Sequence, residues 1–105
     1  MVHHSRGHTV LVADDQSEVV NLVRIVLEQE GFEVICAADG EEAVERAQMG
    51  KPDLIILEVR IPKQSGMAVL DRLLAWPTTA SIPVIMLSVV TIEAQVQAAL
   101  ERGAL

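Results

Sequence analysis

Two adjacent aspartates, Asp14 and Asp15, follow the apolar run Val10-Leu11-Val12-Ala13, and Glu58 follows a second run, Leu54-Ile55-Ile56-Leu57. A third run, Val84-Ile85-Met86-Leu87, leads into Ser88. If each run is a strand of one parallel sheet, three carboxylates and a hydroxyl arrive together at its carboxyl edge, where ligands bind in open α/β sheets. Oxygen donors of this kind suit a hard cation such as Mg²⁺, which keeps several waters and a substrate phosphate in its shell. The plainer reading of Asp14 and Asp15 is that they cap the helix that follows. Asp53 does not join the group, because it opens the third strand at the opposite end.

The pattern around these residues alternates between strand and helix. Thr9 to Ala13 is a β-rich run without polar alternation, the pattern of a strand buried on both faces. Val19, Leu22, Val23, Val26 and Leu27 then recur at helical spacing, opened near residues 15–17 and closed by Gly31. Phe32 to Ala37 is a second strand, followed by the turn Asp39-Gly40 and a short helix from Glu41 to Met49. Gly50-Lys51-Pro52 stops that helix, and Asp53 to Leu57 is the third strand. After a loop from Pro62 to Gly66, Met67 to Trp76 forms a helix with Met67, Leu70, Leu73 and Leu74 on one side. Pro77 ends it, Val84 to Leu87 is strand four, and Ile92 to Arg102 is a last helix that is solvated or contacts a partner. The order βαβαβαβα implies a doubly wound parallel sheet with helices on both faces.

Bulk properties set limits on function. A chain of 105 residues is one domain, and with Trp76 and Phe32 as its only aromatics its core must be aliphatic. Residues 1–8 form a lead-in and residues 9–105 the domain; His3, His4 and His8 lie on that lead-in and are a weak metal site. The net charge of −7 argues against a direct nucleic-acid surface. Cys36 is the single cysteine, read as a small core residue, and Met49, Met67 and Met86 as core filler. No apolar stretch approaches the ~20 residues of a membrane span, and the N-terminus has no signal-peptide pattern, so the cytoplasm is the expected compartment.

The ordered set Leu11-Val12-Ala13-Asp14-Asp15, Gly31-Phe32-Glu33-Val34, Ala38-Asp39-Gly40-Glu41-Glu42-Ala43, Pro52-Asp53-Leu54-Ile55-Ile56-Leu57, Pro62 with Gly66, Ile82 to Ser88 and Gly103-Ala104 resembles the receiver domain of two-component response regulators. The resemblance runs from Thr9 to Leu105 and implies the flavodoxin-like fold. It implies that Asp14 and Asp15 bind Mg²⁺ together with Glu58 and the backbone carbonyl of Arg60, and that Ser88 contacts a phosphoryl group. Glu58 falls on the position of the phospho-accepting aspartate. A histidine kinase or phosphotransfer protein and a downstream output protein are the implied partners.

Two departures follow from the resemblance. Glu58 carries one methylene more than aspartate, which moves its oxygen by roughly an ångström, and misplacement on that scale costs about 10²-fold in rate. Its negative charge, placed farther into the pocket, instead imitates part of the phosphorylated state. Second, Gly103-Ala104-Leu105 comes before the segment that would supply strand five, a phosphoryl-pairing lysine and helix five, giving an expected strand order of 2-1-3-4. Strand four, apolar on both faces, then becomes an edge, and edges of that kind pair with other chains, so self-association through residues 84–87 is expected.

The leading reading is therefore a receiver-like signalling module, not an enzyme, that acts by protein–protein contact with Glu58 as a fixed charge. The alternatives are a receiver that accepts phosphoryl groups on Glu58 or another acid, and a small flavin or nucleotide carrier on the same fold. Against the carrier, Asp14-Asp15-Gln16-Ser17 would repel phosphate unless a metal intervened.

Overall fold

The structure, a computed structural model, describes residues 7–87 and residue 101. Ser88, the segment expected to be the last helix, and His3 and His4 lie outside the described residues. Four strands, β1 (Thr9–Ala13), β2 (Glu33–Ala37), β3 (Leu54–Glu58) and β4 (Val84–Leu87), form a parallel sheet in the order β2-β1-β3-β4. Three helices connect them: α1 (Ser17–Gln29), α2 (Gly40–Gly50) and α3 (Gly66–Ala75). The expected 2-1-3-4 order and the alternation of elements are both present.

Local chemistry sets the helix ends. The Asp39 side chain accepts from the Glu42 backbone N–H at 2.9 Å, and the Glu42 carboxylate accepts from the Ala38 N–H at 3.2 Å, so α2 begins in a reciprocal cap. It ends at Lys51, whose φ of 44° is left-handed, directly before Pro52. Ser65 caps α3 through the Ala68 N–H. The buried Thr79 hydroxyl donates to the Leu73 carbonyl at 2.6 Å, supplying a partner to the last turn of that helix. α1 has no side-chain cap at Gln16, and Gly31 closes it with a φ of 90°.

The main core cluster lies on one side of the sheet. Leu11, Ala13, Ile55 and Leu57 pack there against Ala43, Val44 and Ala47 of α2 and Val69 and Leu73 of α3. The inward residues of α3 are thus Val69 and Leu73, with Leu70 half-buried. Met67 and Leu74, read from the sequence as part of the inward face, are exposed. Met49 is 78% exposed, so neither it nor Met67 fills the core, whereas Met86 packs against it.

α1 covers β1 and β2 on the opposite face. Val19, Val23 and Leu27 are half-buried, but Leu22 and Val26 of the same apolar stripe are exposed, and no residue of α1 is fully buried. β4 forms an edge of the sheet among the described residues, with Ile85 48% exposed.

Candidate functional site

β1 and β3 are adjacent and in register, with Ala13 opposite Leu57. The next residues along the two strands, Asp14 and Glu58, therefore emerge side by side at the carboxyl edge. Both are buried, with 3% and 6% of their surfaces exposed, while Asp15 is exposed. Asp14 Oδ1 accepts from the Gln16 backbone N–H at 2.8 Å. That contact is local and does not reach the N–H groups of α1's first turn, so Asp14 does not cap that helix through them.

The other oxygen of Asp14, Oδ2, has no hydrogen-bond partner among the described residues. Among the described residues, no cationic side chain pairs with Asp14, Asp15 or Glu58. Burial raises the pKa of Asp14; the Gln16 N–H opposes that shift, and the charges of Glu58 and Asp15 add to it. A buried carboxylate with a bare oxygen and two acidic neighbours is a fitting donor for a cation. No three His, Cys, Asp or Glu side chains among the described residues form a ready-made cage. One or two carboxylates with waters is the usual arrangement for Mg²⁺.

Glu58 is held by its own loop. Its Oε1 accepts from the Arg60 backbone N–H at 3.2 Å. The chain then turns tightly, with the Gly66 N–H donating to the Val59 carbonyl at 2.8 Å. A Cβ at position 66 would lie 2.5 Å from the Glu58 carbonyl oxygen and 2.8 Å from Val59 Cα, so only glycine allows this approach. β4 flanks the same end, since Leu87 lies opposite Glu58 and accepts from the Val59 N–H at 2.8 Å. The structure therefore brings together Asp14, Glu58 and the Arg60 backbone, with Asp15 at the rim. Asp53 sits at the far end of the sheet, where it accepts from the Thr9 N–H at 2.8 Å and approaches His8 at 3.6 Å.

The sequence reading missed how the loop after Glu58 is fastened to the start of α2. Lys63, with a left-handed φ of 72°, pairs with Asp39 at 3.4 Å, and the Gly40 N–H donates to the Pro62 carbonyl at 2.9 Å. Glu41 accepts from Gln64 and lies 3.4 Å from Arg72. The Glu42 N–H, followed by Lys63, lowers the pKa of Asp39. Asp39-Gly40 marked only a turn in the sequence, and nothing there joined it to Lys63.

The sequence profile of the response regulator receiver domain matches residues 10–105. The chain belongs to the response regulator receiver family. It is 39% identical over 95 residues to the transcriptional regulatory protein KdpE of Mycobacterium tuberculosis, covering 90% of this chain and 41% of that protein. It is 47% identical over 64 residues to the alkaline phosphatase synthesis transcriptional regulatory protein PhoP of Bacillus subtilis, covering 61% of this chain and 27% of that protein. The chain thus spans less than half the length of these curated relatives. Among solved structures, the chemotaxis protein CheY4 of Vibrio cholerae aligns with a TM-score of 0.75 and 30% identity, over 90% of this chain and 78% of that one. The N-terminal domain of a response regulator receiver protein from Methanoculleus marisnigri aligns with a TM-score of 0.74 and 27% identity, over 91% and 95%. Receiver domains belong to two-component signalling, and the sheet order here is theirs. Among the described residues no helix is long and apolar enough to cross a membrane.

Proposed function

We propose that this receiver domain signals by protein–protein contact and that Glu58 stands at its phospho-acceptor position as a fixed carboxylate. The observation that carries this reading is the placement of Glu58: buried, beside Asp14, and tied through Oε1 to the Arg60 N–H. Acyl phosphate attack needs an acceptor oxygen in line with the donor phosphorus. A glutamate oxygen engaged with the loop backbone and set one methylene farther out does not meet that alignment. Its charge lies where a phosphoryl group would otherwise bring charge.

Asp14, with its bare Oδ2, and Asp15 at the rim are the side chains that would hold Mg²⁺, and the Arg60 carbonyl is the third donor by family position. The metal would supply charge neutralisation at the acidic edge. Asp14 accepts it in ionised form, while the Gln16 N–H fixes the other carboxylate oxygen. Ser88 is the proposed phosphoryl-contact hydroxyl. A histidine kinase or phosphotransfer protein and an output protein are the proposed partners, and the cytoplasm the proposed compartment. Self-association through β4, which is an edge strand among the described residues and carries the half-exposed Ile85, is also proposed.

Backbone amide NMR spectra test the reading. With Mg²⁺ present, adding acetyl phosphate leaves the amides of the β3–α3 loop and β4 unmoved in the wild-type chain, and moves them in the Glu58→Asp variant. Movement in the wild type would show a working phospho-switch and overturn the proposal.

A further inference from the structure

Among the described residues the sheet has two edges, β2 and β4, and they are unlike. β4 carries the half-exposed Ile85, whereas β2 is fastened to side chains of α2. The Glu33 N–H donates to His8 and the Ala37 carbonyl accepts from Asp14, so the peptide groups of these residues face β1. By alternation those of Val34 and Cys36 face the open side, as does the Ala38 N–H. A bare strand edge presents such groups to any other chain.

Here two of them are taken. The Arg46 guanidinium donates to the Cys36 carbonyl, and the Glu42 carboxylate accepts from the Ala38 N–H at 3.2 Å. Arg46 and Glu42 stand one turn apart on α2 and pair with each other at 3.6 Å. In a parallel ladder, one residue of an incoming strand donates to a carbonyl and accepts from the N–H two residues farther on. The Cys36 carbonyl and the Ala38 N–H are such a pair. Two side chains therefore occupy the groups that one residue of an added strand would need.

We propose that Arg46 and Glu42 guard the β2 edge against a second copy of this chain, so that β4 of one molecule does not join β2 of the next. The identity of the incoming strand rests on the reading of β4 as the self-associating strand; the guard rests on the β2 contacts alone. A β4-to-β2 contact is head-to-tail and leaves the same two edges free after every addition, so growth continues unless the rotation closes a ring. Two β4 strands related by a two-fold axis are self-complementary and stop at two copies. Stability is not the main effect of the clamp, because its side chains are 47% and 41% exposed and exposed ion pairs contribute little. Glu33, exposed at the start of β2, adds a charge at the other end of the same edge, a further obstacle to strand addition.

Sedimentation velocity of the full chain from micromolar to millimolar concentration tests the guard. Arg46→Met removes the guanidinium and keeps a good helix former on α2. The wild type should not exceed two copies, whereas the variant should grow past two as concentration rises. Adding Ile85→Lys to Arg46→Met should abolish that growth. Amide hydrogen exchange gives a readout that unfolding does not imitate: the Val34 and Cys36 N–H groups should become protected in the assemblies of the variant. Arg46→Ala answers the same question if Arg46→Met fails to fold. A wild type that itself grows past two copies, an Arg46 variant that stays at wild-type size, growth that Ile85→Lys leaves intact, or growth with the Val34 and Cys36 amides unprotected would each overturn the proposal. A wild type that is monomeric throughout, beside an Arg46 variant that grows as described, would remove β4-to-β4 pairing and support the guard.

Discussion

Asp14→Asn separates the two things the Asp14 carboxylate does. Its Oδ1 accepts from the Gln16 N–H, and asparagine preserves that bond. Its Oδ2 is buried, without a partner among the described residues, and the charges of Glu58 and Asp15 act on the same carboxyl group. An unsatisfied buried polar atom costs about 1–3 kcal/mol. The amide that replaces Oδ2 donates to a neighbouring carboxylate instead of repelling it. The metal-free variant should therefore be more stable than the wild type by on the order of 1 kcal/mol, or about 4–8 °C in Tm for a domain of this size. Mg²⁺ acts in the opposite sense. At ten times its Kd a cation bound only to the folded wild type adds about 1.4 kcal/mol, and the variant should lack that gain. Thermal unfolding followed by circular dichroism, in chelator and then in excess Mg²⁺, reads both effects. The reasoning fails if the variant is less stable than the wild type in chelator, or if it keeps the full Mg²⁺-dependent rise.

Other perturbations follow from the same geometry. Gly66→Ala places a methyl group 2.5 Å from the Glu58 carbonyl oxygen and should cost about 1–3 kcal/mol by overpacking, measured as a lower urea midpoint at unchanged m-value. Asp39 has its pKa lowered from 3.8 by the Glu42 N–H, so its contribution to stability is present above the unfolded value and is lost as pH falls through the folded one. Asp39→Asn should accordingly flatten the acid limb of the stability–pH curve, and an unchanged limb would count against the cap. Ile85→Lys puts a charge on β4, an edge strand among the described residues, and should lower the weight-average mass in sedimentation velocity at micromolar concentrations, whereas a wild-type chain that is monomeric throughout would refute self-association.

Much of the fold was legible because its signals are local. Four apolar runs bounded by acids, glycines and prolines gave the strands. Asp39, Ser65 and the Lys51-Pro52 pair end helices through contacts within a few residues. That Asp14 and Glu58 meet at one edge was legible because strand ends in a parallel sheet converge.

The errors arose where a residue's role depends on what lies across from it. Periodicity placed Leu22 and Val26 on one stripe with Val23, but only Val23 meets the sheet. Met67 and Leu74 looked inward because Val69 was overlooked as the anchor of α3, although Val69 and Leu73 are separated by one helical turn. The clamp of Lys63 on Asp39 and of Gln64 and Arg72 on Glu41 spans 23 to 31 residues for the Glu41 pairs, beyond any local pattern. A cleft beside Asp14 was likewise hidden, since Asn21 and Cys36 carry no shared motif and meet only once α1 lies on β2.

The central claim is that Glu58 holds the acceptor position without accepting phosphate. Intact mass spectrometry after incubation with Mg²⁺ and acetyl phosphate tests it most directly, with Glu58→Asp as the reference. The account predicts an adduct of about 80 Da, one phosphoryl group, on the aspartate variant and none on the wild type. A stoichiometric adduct on the wild-type chain would contradict it.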